Sequence, residues 1–330
     1  MDNVDKKVLY VEYSTDEVVR EIQNDSYDYV LFSLMNANQK AIEKIVISCP
    51  SQCFMIGGYN EDYLNKLSRL YQNTVITKTT EGVAKKLGLT YRFGTDYSLF
   101  KGDTVIPRLT MSYGCLNNCK FCIVPHGKIV DVERSYIEQQ VDSFNDLDCK
   151  LIYIDDKTFG QSKNFSFTSD MAERINRTDF NGFVVQTTTG MVVSKANEFV
   201  RNKVSVVEIG LETYNDHILK AYNKPSSNKL VDECVKAACD SGLMLIANII
   251  IGLSEETDDT YKRTFDYLMP LLEDGQLIGI NSAIYTDYDD SENLGEIDFK
   301  ETENTDLHRK WWNIFNNTAA EILRRGGRVV

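Results

Sequence analysis

The chain is short of histidine. Three occur in 330 residues, His126, His217 and His308, so the first third has no imidazole to ligate a metal. No run approaches the eighteen or so apolar residues of a membrane span. The longest, 243–253, is interrupted by Asn248. The N-terminus, MDNVDKKVLYVEY, lacks the apolar stretch and small-residue cleavage site of a secretory signal, so cytoplasmic residence is the expectation. Positive charge is scarce as well: 36 Lys and Arg against 49 Asp and Glu give a net charge of -13. That balance disfavours non-specific binding to nucleic acid or anionic membrane, although a local basic patch could still hold a structured RNA. Eight cysteines without a secretory signal read as reduced thiols and metal ligands, not as a disulfide framework.

What is present is an alternation of short apolar runs and amphipathic stretches, the pattern of a parallel α/β sheet. Residues 1–102 carry such runs at 8–11, 29–32, 54–56 and 74–76, with Gly57-Gly58 closing the third, as a tight turn into a helix requires. Lys101-Gly102-Asp103 reads as the turn between domains. Six further strands are predicted at 104–112, 151–155, 183–187, 204–211, 243–251 and 276–285, separated by helices such as 229–241. An acidic segment begins at Asp287, with nine carboxylates and one lysine through Asp306, and reads as a solvated loop or a lid. A terminal helix follows, with Trp311, Phe315, Ala319 and Ile322 at helical spacing and Gly326-Gly327 to stop it. Its aromatics are expected to pack on the barrel rather than stack on a nucleobase. The predicted organisation is thus 1–102, 103–286 and 287–330.

Cys115, Cys119 and Cys122 stand on a loop directly after the strand at 104–112. Iron-sulfur clusters are held by thiolates, normally four, so three closely spaced cysteines leave one iron open to a small molecule. His126 supplies a competing reading, a Cys3His zinc site, which would make the chain a zinc-stabilised scaffold without enzymatic activity. Cys49, Cys53, Cys149, Cys234 and Cys239 read as ordinary thiols.

The loop Cys115-Leu116-Asn117-Asn118-Cys119-Lys120-Phe121-Cys122 resembles the CxxxCxxC loop of radical S-adenosylmethionine (SAM) enzymes. That resemblance implies a 4Fe-4S cluster on Cys115, Cys119 and Cys122, with SAM chelating the open iron and cleaved reductively to a 5'-deoxyadenosyl radical. It implies an open (β/α)6 partial TIM barrel for the middle segment, an electron donor such as flavodoxin or ferredoxin, and a substrate that no residue names. The first segment looks like a shortened Rossmann-type, cobalamin-binding α/β domain of one radical SAM subgroup. It lacks that subgroup's Asp-x-His-x-x-Gly motif, so cobalamin stays an open alternative.

The same resemblance assigns SAM contacts at strand ends, where parallel barrels place their chemistry. Phe121 is expected against the adenine, Asp155 and Asp156 near the SAM amino group, and Gln186 near the ribose. Glu208-Ile209-Gly210-Leu211-Glu212-Thr213 is similar to the family's Gly-x-Glu-Ser, with Glu212 toward the ribose, and Lys224 stands where a cation meets the SAM carboxylate. The stretch from Asn248 to Thr257 resembles the adenine-contacting Gly-x-Ile-x-Gly-x-x-Glu, with Asn248 in place of the first glycine. Two narrower enzymes remain alternatives. One is a cobalamin-dependent methyltransferase. The other is a methylthiotransferase, whose loop Ile123-Val124-Pro125 resembles, although only Cys49 and Cys53 precede Cys115 where that family uses three cysteines.

Overall fold

The structure, a computed structural model, describes residues 7, 14–35, 38–58, 60–91, 97, 100, 104–122, 124, 126–285 and 304–326. The predicted strand at 8–11, the turn at 101–103, Ile123, Pro125, the acidic segment up to 303 and Gly327 lie outside the described residues. The chain divides into two compact units that part between Arg92 and Phe93, ten residues before the boundary predicted from the Lys-Gly-Asp turn.

In the first unit, α1 (Thr15–Asn24), β1 (Val30–Leu34), α2 (Gln39–Ser48), β2 (Phe54–Gly58), α3 (Glu61–Leu70), β3 (Thr74–Ile76) and α4 (Thr80–Lys86) alternate. The three strands are parallel in the order β1-β2-β3. Helix starts are set locally: Ser14 and Glu17 form a capping box, and Asn60 and Thr79 accept from backbone N–H groups of the first turn. Ile42, Ile45, Phe54, Ile56 and Leu67 form the core of this unit without any exposure. The glycine pair is dictated by neighbouring backbone. A Cβ on Gly58, whose φ is +152°, would lie 2.0 Å from the Leu34 carbonyl oxygen, and one on Gly57 would lie 2.7 Å from that of Thr77.

The second unit opens with β4 (Arg108–Leu109) and an antiparallel hairpin, β5 (Ser112–Cys115) with β6 (Lys128–Asp131). There follow α5 (Arg134–Phe144), β7 (Leu151–Ile154), α6 (Thr168–Arg174), β8 (Gly182–Thr187), α7 (Thr189–Arg201), β9 (Val204–Glu212), α8 (Asp216–Ala221), α9 (Asn228–Ser241), β10 (Met244–Ile251), α10 (Asp258–Glu273), β11 (Gly279–Ile284) and α11 (Thr305–Arg325). Six parallel strands run in the order β4-β7-β8-β9-β10-β11, each next to its sequence neighbour. This is the predicted six-strand partial barrel. The hairpin was not predicted, because its strands are four residues long and one of them contains the cysteine loop's first ligand candidate.

One set of alternating residues, including Ile152, Ile154, Phe183, Val185, Val207, Ile209, Leu245, Ala247, Ile249 and Ile251, is at most 1% exposed. The opposite phase carries the half-buried Tyr153, Gln186, Glu208 and Asn248 among apolar residues such as Val184, Val206, Ile246 and Ile250. Period-two alternation thus separates a core face from an open face that carries the polar groups. Trp311, Phe315, Ala319 and Ile322 of α11 are buried, and the helix packs on α10 and β11. It falls in the same compact unit as the barrel strands.

Gly58→Ala is expected to destabilise the first unit by roughly 2 kcal/mol or more, since a side chain there meets backbone in a conformation that L residues avoid. Gly88→Ala, left-handed too but with nothing within 4 Å of its Cβ, is expected to cost about 1 kcal/mol. Chemical denaturation of the two variants checks that order.

Candidate functional site

The cysteine loop begins the connection that joins the two hairpin strands, at whose base the Gly127 N–H donates to the Cys115 carbonyl at 2.8 Å. On one flank Cys115 Sγ lies 3.2 Å from Thr158 Oγ1, and the Leu116 N–H donates to Gln161 Oε1 at 2.9 Å. On the other flank the Lys120 N–H donates to the Tyr222 carbonyl at 2.9 Å, and Asn223 Nδ2 donates to the Asn118 carbonyl at 2.8 Å. The loop is therefore clamped between the segment after β7 and the turn after α8. Cys115 and Cys119 are buried and Cys122 half-buried. Burial pushes the Cys119 thiol pKa up; the Lys224 ammonium opposes that rise, and the Glu212 carboxylate, Cys122 and Cys115 add to it.

Those shared electrostatics place the three cysteines in one neighbourhood. Among the described residues, no three His, Cys, Asp or Glu side chains converge as a single ion needs, and His126 is exposed. Zinc would draw its sulfurs onto bonds of about 2.3 Å around one point, whereas a cube spreads them over separate irons. The donor set fits the cluster better than the zinc.

Facing the loop is the end of β9. Its register with β10 shifts between Gly210 and Glu212, and Glu212 takes φ +67°, a left-handed conformation costing a non-glycine residue about 1–3 kcal/mol. Asn223, with φ +54°, is a second such residue at the site. The bulge directs Glu212 onto Lys224: Oε1 lies 2.5 Å from Nζ, with the two side chains 10% and 8% exposed. Gly210 leaves the space for this pair, since a Cβ there would lie 2.5 Å from Lys224 Nζ and 2.6 Å from Glu212 Oε1. Lys224 Nζ also sits 5.7 Å from the centre of the Phe121 ring, which lies 6.1 Å from Tyr222. Phe121, Ile250 and Tyr285 pack against buried Ile218, Tyr222 and Leu253.

The remaining sequence candidates divide. Asp155 is bridged by Arg108 and Lys157, each at 3.3 Å, with Arg108 over the Tyr153 ring. Asp156 is 3% exposed and turned into the protein: Oδ1 accepts from the Met111 and Ser112 N–H groups at 3.1 and 2.8 Å, and Oδ2 from the Ser112 hydroxyl at 2.7 Å. It therefore holds the start of β5, and so the loop, in place. Gln186 lies abreast of Glu208 and makes no side-chain hydrogen bond among the described residues. Asn248 accepts from Asn281 Nδ2 at 3.0 Å. Phe121, Glu212 and Lys224 are thus brought together, while Asp155, Gln186 and Asn248 line the open polar face. Sequence reasoning missed Tyr222 and Thr158. Tyr222 directly precedes Asn223-Lys224, but no spacing rule marks it.

Residues 109–268 match the sequence model of the radical SAM superfamily. This segment belongs to the radical SAM superfamily. A candidate methylthiotransferase of Methanocaldococcus jannaschii is 27% identical over 188 residues, 52% of this chain and 41% of that protein. The fold is shared with the radical SAM methyltransferase TsrM of Kitasatospora setae, solved with cobalamin and a [4Fe-4S] cluster, at a TM-score of 0.57 and 10% identity over 81% of this chain and 63% of TsrM. It is shared with the cobalamin-dependent radical SAM enzyme OxsB, solved with aqua-cobalamin and SAM, at a TM-score of 0.56 and 12% identity over 94% of this chain and 50% of OxsB. The chain thus spans less than two thirds of each of these proteins. Radical SAM proteins use a 4Fe-4S cluster and SAM, and the matched segment contains Cys115, Cys119 and Cys122. No helix among the described residues is long and apolar enough to cross a membrane.

Three expectations follow. Glu212→Gln or Lys224→Met leaves one buried charge unpaired and is expected to cost about 3 kcal/mol, with the double variant recovering part of that loss; denaturation midpoints of the three proteins check the coupling. Asp156→Ala is expected to cost about 2 kcal/mol and Asp156→Asn less, because the amide oxygen still accepts from the two N–H groups. Burial raises the Asp156 pKa to about 6, against the hydrogen bonds from Ser112 and Met111. Between the ordinary carboxylate value and about 6, the folded protein holds a proton that the unfolded chain has released. Stability relative to Asp156→Asn is therefore expected to fall as pH rises through that window, which denaturation across it measures.

Proposed function

We propose that the chain is an enzyme that binds one site-differentiated 4Fe-4S cluster and SAM, cleaves SAM reductively, and uses the 5'-deoxyadenosyl radical to abstract hydrogen from its substrate. The observation that carries this reading is the joining of the cysteine loop to the buried Glu212–Lys224 pair through Phe121 and the Tyr222 turn. The cluster, when bound on the three thiolates, supplies the electron. The protein's part is to bind, orient and exclude water.

Lys224 meets the SAM carboxylate as a point charge, a role supported by its burial beside the cysteine loop's Phe121. Glu212 Oε2, which makes no hydrogen bond among the described residues, is left to accept from a ribose hydroxyl. Phe121, Ile250 and Tyr285 offer an apolar and aromatic wall for the adenine. Asp155, Gln186 and Asn248, on the polar face, are the further SAM contacts. Asp156 acts through the backbone of Met111 and Ser112. An electron donor of the flavodoxin or ferredoxin kind completes the reaction.

A methylthiotransferase is the second reading, favoured by the candidate methylthiotransferase relative. It needs another cluster, about eight irons per chain by analogy with two-cluster proteins, against four for one cluster. A cobalamin-dependent methyltransferase is favoured by the shared fold alone. Against it, the described first unit has no histidine, and its glycine pair is accounted for by neighbouring backbone.

Anaerobic reconstitution followed by iron, sulfide, zinc and cobalamin assays is expected to return about four irons, neither zinc nor retained hydroxocobalamin, and a loss of iron on replacing any of Cys115, Cys119 or Cys122 with Ala. With SAM and dithionite, 5'-deoxyadenosine is expected by chromatography. Zinc without iron would end the proposal; eight irons would turn it to the second reading.

A further inference from the structure

Two tyrosine hydroxyls take the backbone N–H groups at the end of β10. Tyr222 Oη accepts from the Ser254 N–H at 3.1 Å and lies 3.0 Å from the Ser254 hydroxyl; Tyr222 also packs on Phe121 of the cysteine loop. Tyr261 Oη, from the first turn of α10, accepts from the Gly252 N–H at 2.9 Å and lies 2.8 Å from His308 Nδ1. Tyr261 and His308 are 1% and 2% exposed. A phenol has one proton. With its oxygen accepting from Gly252, the acceptor that the described residues offer for that proton is His308 Nδ1, an arrangement that requires the neutral Nε2–H tautomer. Burial lowers the His308 pKa and supports that form.

His308 lies in the first turn of α11, beyond the 109–268 segment that matches the superfamily. The next turn of α11 is tied to the start of α10, where Asp258 Oδ1 accepts from Trp311 Nε1 at 2.9 Å and from Lys310 Nζ at 2.7 Å. A Gly252 N–H left unpaired in this interior would carry a desolvation cost, so the hydroxyl and the histidine behind it select one conformation of the 252–254 segment.

We propose that His308 is a positioning residue of the SAM site, acting through the Tyr261 hydroxyl to hold Gly252, Leu253 and Ser254 in the conformation that receives the nucleoside. This rests on the reading that the barrel binds SAM. The terminal helix is then part of the cofactor site without touching the cofactor. Loss of the relay frees the segment and weakens SAM while leaving the thiolates where they are.

The test uses the full reconstituted protein and four variants: Tyr261→Phe, His308→Phe, the double variant, and His308→Asn, whose amide oxygen occupies the place of Nδ1. SAM affinity is measured by equilibrium dialysis, iron by assay, and 5'-deoxyadenosine formation as KM and kcat for SAM. Tyr261→Phe and His308→Phe are each expected to raise the SAM Kd and KM by about tenfold with iron unchanged and kcat nearly so. The double variant is expected to be no worse than either single one, because both break one relay. His308→Asn is expected to stay within about threefold of the parent protein. If His308→Phe does not fold, Tyr261→Phe and His308→Asn still give opposite expectations. Unchanged SAM affinity in Tyr261→Phe, effects that add in the double variant, or weakening that merely follows iron loss would each overturn the proposal. A parent protein that binds no SAM would instead sink the functional reading on which it rests.

Discussion

The buried contact between Glu212 and Lys224 is the constraint on which the site depends. Two opposite charges brought together with little solvent are stable only as a pair, and each is directed by a backbone feature that costs free energy. Glu212 needs a bulge and a left-handed φ; Lys224 follows a second left-handed residue, Asn223. Gly210 has to be without a side chain for the pair to close. The strain sits at the carboxyl end of β9, the end of the strands where parallel barrels place their chemistry. Backbone strain of this kind persists where surrounding structure over-determines it, and the surroundings here do so through Phe121, Tyr222 and the Asn223 side chain.

From that pair the architecture can be followed outward. The Tyr222–Lys224 turn takes the Lys120 N–H and donates to the Asn118 carbonyl, so the cysteine loop is shaped by β9 and α8 as much as by its own hairpin. Asp156 sets the other end by gathering the Met111 and Ser112 N–H groups. A loop carrying three potential thiolates is thereby held at both ends before any iron arrives. Such preorganisation limits the conformational entropy lost on loading the cluster.

Much of the fold was legible in the chain because its signals are local and repeated. The last five barrel strands lie within three residues of their predicted limits, as expected where continuous β-branched runs are bounded by polar helix starts. The first strand was not read so well: only Arg108–Leu109 pairs with β7 inside the predicted 104–112, and the hairpin that carries Cys115 escaped notice. Short antiparallel strands with Gly and Tyr have too little period to announce themselves. The amphipathic stripe of α11 was legible too, and its aromatics pack on α10 and the edge of the barrel, as expected.

The order of the strands, the three-cysteine loop and the chemistry those thiols suit were determined by sequence alone, because residue type and spacing fix donor identity and a period of two fixes faces. Tertiary structure alone decided which polar groups act together. Asp156 turned inward to backbone donors while its neighbour Asp155 stayed at the surface, and Glu212 closed on Lys224 only because a bulge rotated it there. Tyr222 and His308 reached the end of β10 from helices distant in sequence. Contacts of that kind depend on side-chain direction and on which backbone groups would otherwise be buried unpaired, and neither is written in local spacing.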